Sequence, residues 1–252
     1  METLVPGRLP CSTLWMAALL LWLGTGALGD ISTDNLHTII QYIKPYGVNV
    51  EYAFAVSLPT SICRDPSRLA EALPHEELQN MNRAIRRSGS LYDPTGGHIV
   101  AAQVMYQGPR VRLHPEWRLL HGGQNSPVRK LLARTPQEKR CLIFFTRDSP
   151  CLRTCLRKNG NFNILPMVRD TFSLADNNYQ AFVFQQIYDK DQGKGQELLD
   201  AWSELRGAVP LMRCDNNGCR NYAGDGTSNR RNPSMDGRPI VRRRLHPPGR
   251  GQ

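Results

Sequence analysis

Two short segments, His114-Pro115-Glu116 and Ser149-Pro150-Cys151-Leu152-Arg153-Thr154-Cys155, carry the pattern that decides the fold of this chain. Together they have the form H-x-E followed by P-C-x3-C. One imidazole and two thiolates are favourable ligands for Zn²⁺, and three protein ligands leave the fourth tetrahedral position open to water. A carboxylate two residues after the histidine is placed to take a proton from that water. The pattern therefore predicts a zinc site with His114, Cys151 and Cys155 as ligands and Glu116 as the proton carrier.

The residues around these segments favour helices that would present the ligands. Ser149 is a good N-cap, and Pro150 suits the first position of a helix. Cys151 and Cys155 would then lie on one side of the first turn, where the helix dipole favours the thiolate form. Pro115 would start a second helix. We therefore expect each half of the site at the beginning of a helix.

The first 29 residues have the composition of a secretory signal peptide. Arg8 precedes an apolar run between Leu14 and Leu23, and the small residues Ala27 and Gly29 are placed for cleavage. The run is shorter than the roughly 20 residues that a membrane-spanning helix needs, although an uncleaved anchor is the alternative. We therefore predict a secreted protein with no stable membrane insertion.

Secretion bears on the cysteines, because disulfides persist in oxidising compartments. A Cys151–Cys155 bridge is the alternative to zinc, but two cysteines four residues apart on one helix fit disulfide geometry poorly. Four further cysteines, which allow three connectivities, follow residue 29: Cys63, Cys141, Cys214 and Cys219. Cys214 and Cys219 flank an Asn-Gly pair and could close a tight turn, which would leave Cys63 for Cys141. We expect these four thiols to be oxidised.

The C-terminal residues 220–252 differ in composition from the rest of the chain. They hold eight arginines against two aspartates, in a chain whose formal net charge is +10, and they show almost no apolar periodicity. Such a segment is predicted to be disordered. It could hold a polyanion such as nucleic acid or a glycosaminoglycan, or merely keep the chain soluble. The predicted organisation is a signal peptide over 1–29, one domain over 30–219 and a tail over 220–252.

Apolar periodicity divides the domain into alternating helices and strands. Helical patterns cover or begin at 31–43, Pro115, Pro127, 163–175 and 196–205. Buried strands are predicted at 48–58, 98–106, 141–146, 181–188 and 208–212. The polar insertion 59–97 is long enough that we expect a helix within it, near 66–72 or 76–87. A helix between the last two strands implies that they run parallel.

Motifs and element order together resemble the zinc-dependent nucleobase deaminases, whose signature is H-x-E followed by P-C-x-x-C. The resemblance covers most of residues 31–213 and is closest to the AID/APOBEC-like branch, to whose secreted members the signal peptide points. Residues 144–151, F-F-T-R-D-S-P-C, resemble W-F-T-S-W-S-P-C, and residues 185–189, Q-Q-I-Y-D, resemble A-R-I-Y-D. This implies a three-layer α/β/α cytidine-deaminase-like fold with a five-stranded mixed sheet whose last two strands are parallel.

The same resemblance implies roles for further residues. Tyr188 would form an aromatic wall of the base pocket, and Asp189 would lie in the loop that contacts the neighbouring nucleotide. Ser149 would place its backbone carbonyl near the amino group that is lost. Asp148 stands where the branch carries Trp, and Gln186 stands where it carries Arg. These two departures concern the identity of the substrate more than the binding of zinc.

The expected function is zinc-dependent hydrolytic deamination of cytosine, as a nucleoside or within single-stranded nucleic acid. Zinc would activate a water molecule, and Glu116 would move its proton to the base and to the departing ammonia. Two alternatives belong to other classes of protein. One is an inactive secreted zinc-containing protein that binds anionic partners through the tail, and the other is a disulfide-rich extracellular module without metal.

Overall fold

Strands and helices alternate along the described chain, which comprises residues 31–109, 111–134, 139–175 and 178–222 of a computed structural model. The strands are β1 (Tyr52–Pro59), β2 (Leu91–Tyr92), β3 (Ile99–Gln103), β4 (Met105–Gln107), β5 (Val111–Leu113), β6 (Arg140–Asp148), β7 (Gln180–Gln186), β8 (Leu211–Asp215) and β9 (Gly218–Asn221). The predicted signal peptide, 1–29, and residues 223–252 of the predicted tail lie outside the described residues.

A mixed sheet of seven strands lies at the centre, in the order β2-β3-β1-β6-β7-β8-β9. The β6–β7 and β7–β8 pairs are parallel, as predicted for the last two of the strands found in the sequence, and the other neighbouring pairs are antiparallel. The mixed α/β class is therefore confirmed.

The predicted number of five strands was wrong, because a short strand is added at each edge of the sheet. β2 has two residues inside the polar insertion and pairs with β3. β9 pairs with β8 across a tight hairpin in which Asp215 lies opposite Gly218. Neither segment has the apolar pattern of a buried strand, since edge strands cover little of the core.

Eight α-helices accompany the sheet within the described residues. They are α1 (Thr33–Ile43), α2 (Thr60–Arg64), α3 (Leu69–Ala72), α4 (His75–Ile85), α5 (Pro115–Leu120), α6 (Pro127–Ala133), α7 (Leu165–Phe172) and α8 (Gly195–Arg206). The N-caps of α1 and α6 are Ser32 and Ser126, whose hydroxyls accept hydrogen bonds from Asn35 N and Arg129 N. The insertion 59–97 holds α2, α3 and α4, which confirms that it is structured.

Alternate side chains of β6 reach two different cores. Cys141, Ile143 and Phe145 pack with the apolar residues of α1 to α4, on what we call the disulfide face. Leu142 and Phe144 pack with α5 to α8, on what we call the α5 face. Because strand side chains alternate, the sequence of β6 by itself separates the two faces.

The small residues Ala53, Ala55 and Ala102 line the α5 face of β1 and β3. Alanine adds little bulk between the sheet and a helix, so α5 can approach the strands closely. Leu119 and Leu120 of α5 are buried in the same cluster. The spacing of small residues therefore places the beginning of α5, and with it residues 114–116, directly against the sheet.

The predicted strand 98–106 is divided between two sheets. Val104 N donates to Glu51 O at 3.0 Å, and beyond this point the chain leaves the large sheet. β4 then pairs with β5 in a separate hairpin, with Met105 opposite Leu113. This hairpin delivers the chain to His114.

The last strand found in the sequence was predicted to begin at residue 208, but β8 begins at Leu211. Ala208 N and Val209 N instead donate to Leu205 O and close the turn after α8. Ala208 and Val209 therefore end the helix, although their apolar character favoured a strand.

The two disulfides are those favoured by the sequence. Cys63 of α2 is bonded to Cys141 at the start of β6, and Cys214 of β8 is bonded to Cys219 of β9. The first bond ties the insertion to the central strand over a sequence separation of 78 residues. The second closes the β8–β9 hairpin.

Candidate functional site

His114 and Glu116 lie at the junction between β5 and α5. His114 is the N-cap residue of α5, Pro115 occupies the first turn, and Glu116 follows within it. The predicted helix start is therefore confirmed. His114 is 6% exposed and Glu116 is 1% exposed, so both ionisable groups are inside the protein.

The segment that carries the two cysteines is a turn and not the predicted helix. Leu156 N donates to Cys151 O at 3.0 Å, which spans five residues and is wider than an α-helical turn. Ser149 does not cap it, because its hydroxyl accepts a hydrogen bond from Tyr188 N at 3.1 Å. The wider turn accommodates three residues between the cysteines and still brings both sulfur atoms to one side.

The three predicted ligands come together in this structure. The Sγ atoms of Cys151 and Cys155 are 3.6 Å apart, and Cys151 Sγ is 3.9 Å from His114 Nε2. All three side chains are buried, and their donor atoms lie within 4.8 Å of one another. Neither cysteine is in a disulfide, unlike the other four cysteines of the described chain. Two thiols and an imidazole at this separation are a donor set that fits a tetrahedral zinc ion.

The charges of the site suit a cation. The hydrogen bond with Cys155 and the nearby His114 lower the pKa of Cys151 to about 3, despite burial, so this sulfur is a thiolate. Burial lowers the pKa of His114, but the Cys151 sulfur and the Glu51 carboxylate outweigh it and raise the pKa to about 10. A metal ion would replace the proton held by this imidazole, because a ligating histidine must be neutral.

Only one of the two carboxyl oxygens of Glu116 makes a side-chain hydrogen bond within the described residues. Thr146, on the α5 face of β6, donates its hydroxyl hydrogen to Glu116 Oε1 at 2.7 Å. Oε2 is buried and has no hydrogen-bond partner among the described residues. Burial and the negative charge of Glu51 raise the pKa of Glu116 to about 7. This carboxyl group can therefore both accept and release a proton near neutral pH.

A family model described as Secreted Novel AID/APOBEC-like Deaminase 1 matches residues 33–238, which include the whole site. The chain belongs to this family. Membership confirms the AID/APOBEC-like resemblance and the secreted localisation predicted from the sequence. No curated protein and no solved structure matched the chain. Within the ranges described above, no helix is both long and apolar enough to cross a membrane.

A cavity of about 260 Å³ opens beside the cysteine turn of this deaminase-family member. Its lining combines cationic, aromatic and site residues: Val111, Arg112, His114, Cys151, Arg153, Thr154, Phe162, Tyr188, Lys190 and Asp191. Among the residues predicted to contact substrate, Tyr188 lies in this wall, and its ring is steeply inclined to the His114 ring with 6.3 Å between centroids. Ser149 is buried, and its hydroxyl accepts from Tyr188 N.

Asp189 does not line the cavity, whereas the nearby Asp191 does. Asp189 is exposed and accepts a hydrogen bond from Gln192. Asp191 is 1% exposed, and its Oδ2 accepts from Leu152 N at 2.9 Å. This carboxylate therefore fixes the turn between the two cysteines. Nothing in the local sequence singles out Asp191, because the contact spans 39 residues.

The two departures from the AID/APOBEC-like motif contact each other. Gln186 Nε2 donates to Asp148 Oδ1 at 2.6 Å, between neighbouring positions of the parallel strands β6 and β7. In this family member a polar pair therefore stands where the branch carries Trp and Arg. Because each partner satisfies the other, the two departures act as one change.

Glu51 is the residue of the site that sequence analysis missed. Its Oε1 is 2.7 Å from His114 Nδ1, and its other oxygen accepts from Arg112. It lies directly before β1 and is 7% exposed. The alternation Glu51, Ala53, Ala55 could have indicated a carboxylate on the α5 face, but it could not have named the partner.

Proposed function

We propose that this protein is a zinc-dependent hydrolytic deaminase that acts on cytosine in a nucleoside or in single-stranded nucleic acid. Membership of the AID/APOBEC-like deaminase family supports the reaction class. A sheet with helices on both faces supports the cytidine-deaminase-like α/β/α fold. The observation that carries the proposal is the carboxyl group of Glu116, with one oxygen fixed and the other buried without a partner.

A buried carboxylate oxygen without a hydrogen bond is costly, by about 1–3 kcal/mol or more for a charged group. A structural zinc site needs ligands and has no use for such a neighbour. Glu116 also contributes to a second cluster of possible ligand atoms, with Glu51 and His114, all within 4.8 Å of one another. A carboxylate kept free at this distance from the ligands is suited to hold a proton during a reaction.

We assign His114, Cys151 and Cys155 as the residues that would hold zinc. When bound, zinc is a Lewis acid that makes water a nucleophile at neutral pH. The thiolate of Cys151 and the buried thiol of Cys155 supply the soft ligands. Three protein ligands leave one coordination position for the substrate water.

Glu116 then transfers the protons of the reaction. It accepts a proton from the attacking water and delivers it to the ring nitrogen of cytosine, while oxygen bonds to C4. Glu116 next takes the remaining proton of the new C4 hydroxyl and passes it to the amino group, so that the C4–N bond breaks, C4=O forms, and ammonia leaves a uracil product. A pKa of about 7 suits both directions of transfer. We propose that the Ser149 carbonyl receives the amino group and that Tyr188 forms a wall for the base.

The surroundings of the cavity support a phosphate-bearing form of the substrate. Arg153 and Lys190 line the cavity and are exposed, so their charges are available at its rim. Asp189 lies next to Lys190 on the surface, where we propose that it contacts a neighbouring nucleotide. Polyanion binding by the tail 220–252 is a separate proposal, and it concerns residues that lie almost entirely outside those described.

The test replaces Glu116 with Gln in the secreted protein. Glu116→Gln keeps the size of the side chain and the acceptor for Thr146 but cannot take a proton from water. General acid–base catalysis typically contributes about 10²- to 10⁴-fold to a rate. Because Glu116 acts in more than one proton transfer, we expect the rate of deamination to fall on the order of 10³-fold or more. Zinc content and melting temperature stay near those of the wild type.

Deamination is measured on cytidine, deoxycytidine and single-stranded oligonucleotides at matched zinc occupancy. Glu71→Gln, a change of the same chemistry at an exposed position of α3, is the control and keeps full activity. Wild-type activity that survives in Glu116→Gln contradicts the mechanism. Zinc without deamination of any cytosine substrate favours instead the inactive zinc-containing binding protein, with the Asp148–Gln186 pair as the first position to revert toward Trp and Arg.

A further inference from the structure

Glu51 bonds at the same time to a metal-ligand histidine and to an arginine. Its Oε1 lies 2.7 Å from His114 Nδ1, and its other carboxylate oxygen accepts from the guanidinium of Arg112. The Glu51 side chain is 6% exposed. Both oxygens are thus occupied by strong partners, so the carboxylate is fixed in place.

The contact decides which ring nitrogen of His114 faces the cysteines. With Nδ1 held by Glu51, Nε2 lies 3.9 Å from Cys151 Sγ. Metal-ligating histidines commonly donate their other N–H to a carboxylate, which fixes the tautomer and orientation of the ring and makes the ligand more basic. We propose that Glu51 is the positioning residue of the zinc site, holding the His114 imidazole so that Nε2 faces the two thiolates. This inference rests on the proposed function, because it assumes that the site takes zinc.

Arg112 extends the connection to the wall of the cavity. Its Nη1 donates to the Tyr188 hydroxyl at 3.0 Å, and its guanidinium lies 5.8 Å from the centre of the Tyr188 ring. Glu51 therefore links β1, the β4–β5 hairpin and the segment after β7. The metal ligand His114 and the cavity wall at Tyr188 are joined through one carboxylate and one guanidinium.

Packing of β1 alone does not explain a buried carboxylate at this position. The next residues on the same face are Ala53 and Ala55, and an apolar residue there would avoid the cost of burying a charge. Arg112 does not require burial either, because its side chain is 31% exposed and could be paired at the surface. The contact that needs the carboxylate inside the protein is the one to His114.

The experiment compares the full secreted protein with Glu51→Leu, which places an apolar side chain of similar size at this position and removes the acceptor for His114 Nδ1. We expect zinc affinity, measured by competition with a chromophoric chelator, to fall about 10- to 100-fold. The visible absorption bands of the cobalt-substituted protein should also change, because they report ligand orientation directly. Glu71→Leu, the same change at an exposed position of α3, is the matched control and should leave both measurements unchanged.

Each outcome separates this inference from the proposed function. Wild-type protein without zinc overturns the zinc site itself, and the inference with it. Wild-type protein with zinc, together with unchanged affinity and cobalt spectrum in Glu51→Leu, overturns only the positioning role. If Glu51→Leu does not fold, Glu51→Asp keeps the charge but withdraws it from His114, and the same two measurements decide.

Discussion

The two faces of the central sheet are stabilised by different means. On the disulfide face, the buried residues of α1 to α4 and of the strands are almost entirely apolar, and the Cys63–Cys141 bond joins the insertion to β6. The α5 face has an apolar core of similar extent, but at one end it buries His114, Glu116 and Thr146 beside two free cysteines. The candidate site and the Cys63–Cys141 bond therefore lie on opposite faces of the same strands.

Side chains alternate along β6, so this one strand contributes to both faces. Each side chain of β6 belongs to one face only, so Cys141 forms a disulfide while Thr146 orients Glu116. Buried polar groups are stable only when they are paired, yet Glu116 Oε2 has no hydrogen-bond partner among the described residues. The Cys63–Cys141 bond stabilises the disulfide face, while the α5 face contains this unpaired oxygen.

We expect the strongest effect when a proposed zinc ligand on the α5 face is removed. Cys151→Ser takes away one of three donors, so zinc should fall from about one per molecule to nearly none. The melting temperature should fall sharply as well, since metal binding at a site that joins two segments is also folding free energy. Metal analysis and thermal unfolding of freshly secreted protein measure both quantities. Normal zinc content in this variant would remove Cys151 from the site.

The matching control removes the cysteine pair of the other face. Cys63→Ala together with Cys141→Ala breaks the disulfide without leaving a hydroxyl in the apolar core. Unfolding free energy should fall by about 2–5 kcal/mol, the usual effect of losing a native disulfide. Zinc per folded molecule should not change, because these side chains lie on the opposite face of β6. A loss of zinc here would show that the two faces are coupled.

A smaller effect on turnover is expected from a change at Thr146, which lies on the α5 face of β6, the strand that both faces share. Thr146→Val keeps the shape of the side chain and removes the hydrogen bond to Glu116 Oε1. That bond lowers the pKa of Glu116, so its loss raises the pKa above about 7. Glu116 must be ionised to accept a proton; the acidic limb of the rate profile therefore moves to higher pH. We expect turnover at neutral pH to fall about 10-fold, within the effect of one hydrogen bond to a charged group.

Rate against pH at constant zinc occupancy measures this change. Thr171→Val, which alters a buried threonine of α7, tests whether any loss of a buried hydroxyl has the same effect. An unshifted acidic limb in Thr146→Val would mean that Thr146 does not tune Glu116.

The smallest effect concerns acid stability on the disulfide face. Burial raises the pKa of Glu77 in α4, but hydrogen bonds from His98 and Ile99 outweigh it and hold the pKa below its usual value. A depressed folded-state pKa contributes stability above the unfolded pKa of about 4.3, and that stability is lost as pH falls through the folded value. Glu77→Gln should therefore cost on the order of 1 kcal/mol at neutral pH and progressively less in acid.

Urea unfolding at a series of pH values from neutral to acid, with the exposed Glu76→Gln as control, checks the Glu77 prediction. The difference between wild type and Glu77→Gln, and not the absolute stability, is the quantity to follow, because zinc ligands also protonate in acid. A difference that stays constant with pH would show that the Glu77 carboxylate is not ionised when it makes these bonds.

Features encoded within a few residues of one another could be predicted well. Pro115 starts α5, Pro127 starts α6, and Cys214 with Cys219 closes a hairpin, each from local chemistry. The helix predicted over Cys151 failed for the opposite reason. Ser149 and Pro150 favour a helix start locally, but the Ser149 hydroxyl binds Tyr188 N, and a wider turn forms.

Periodicity and short motifs are local properties of the chain, and they were enough to predict the α/β class, the parallel pair of strands, and the donor atoms that residues 114–116 and 149–155 offer. The folded structure was needed to show that Glu51 contacts His114 and Arg112, that Asp191 accepts from the cysteine turn, and that Gln186 pairs with Asp148. Alternation along a strand assigns a side chain to a face, but the partner on that face depends on strand order and register. Those are set when distant segments pack together, and no local stretch of sequence contains them.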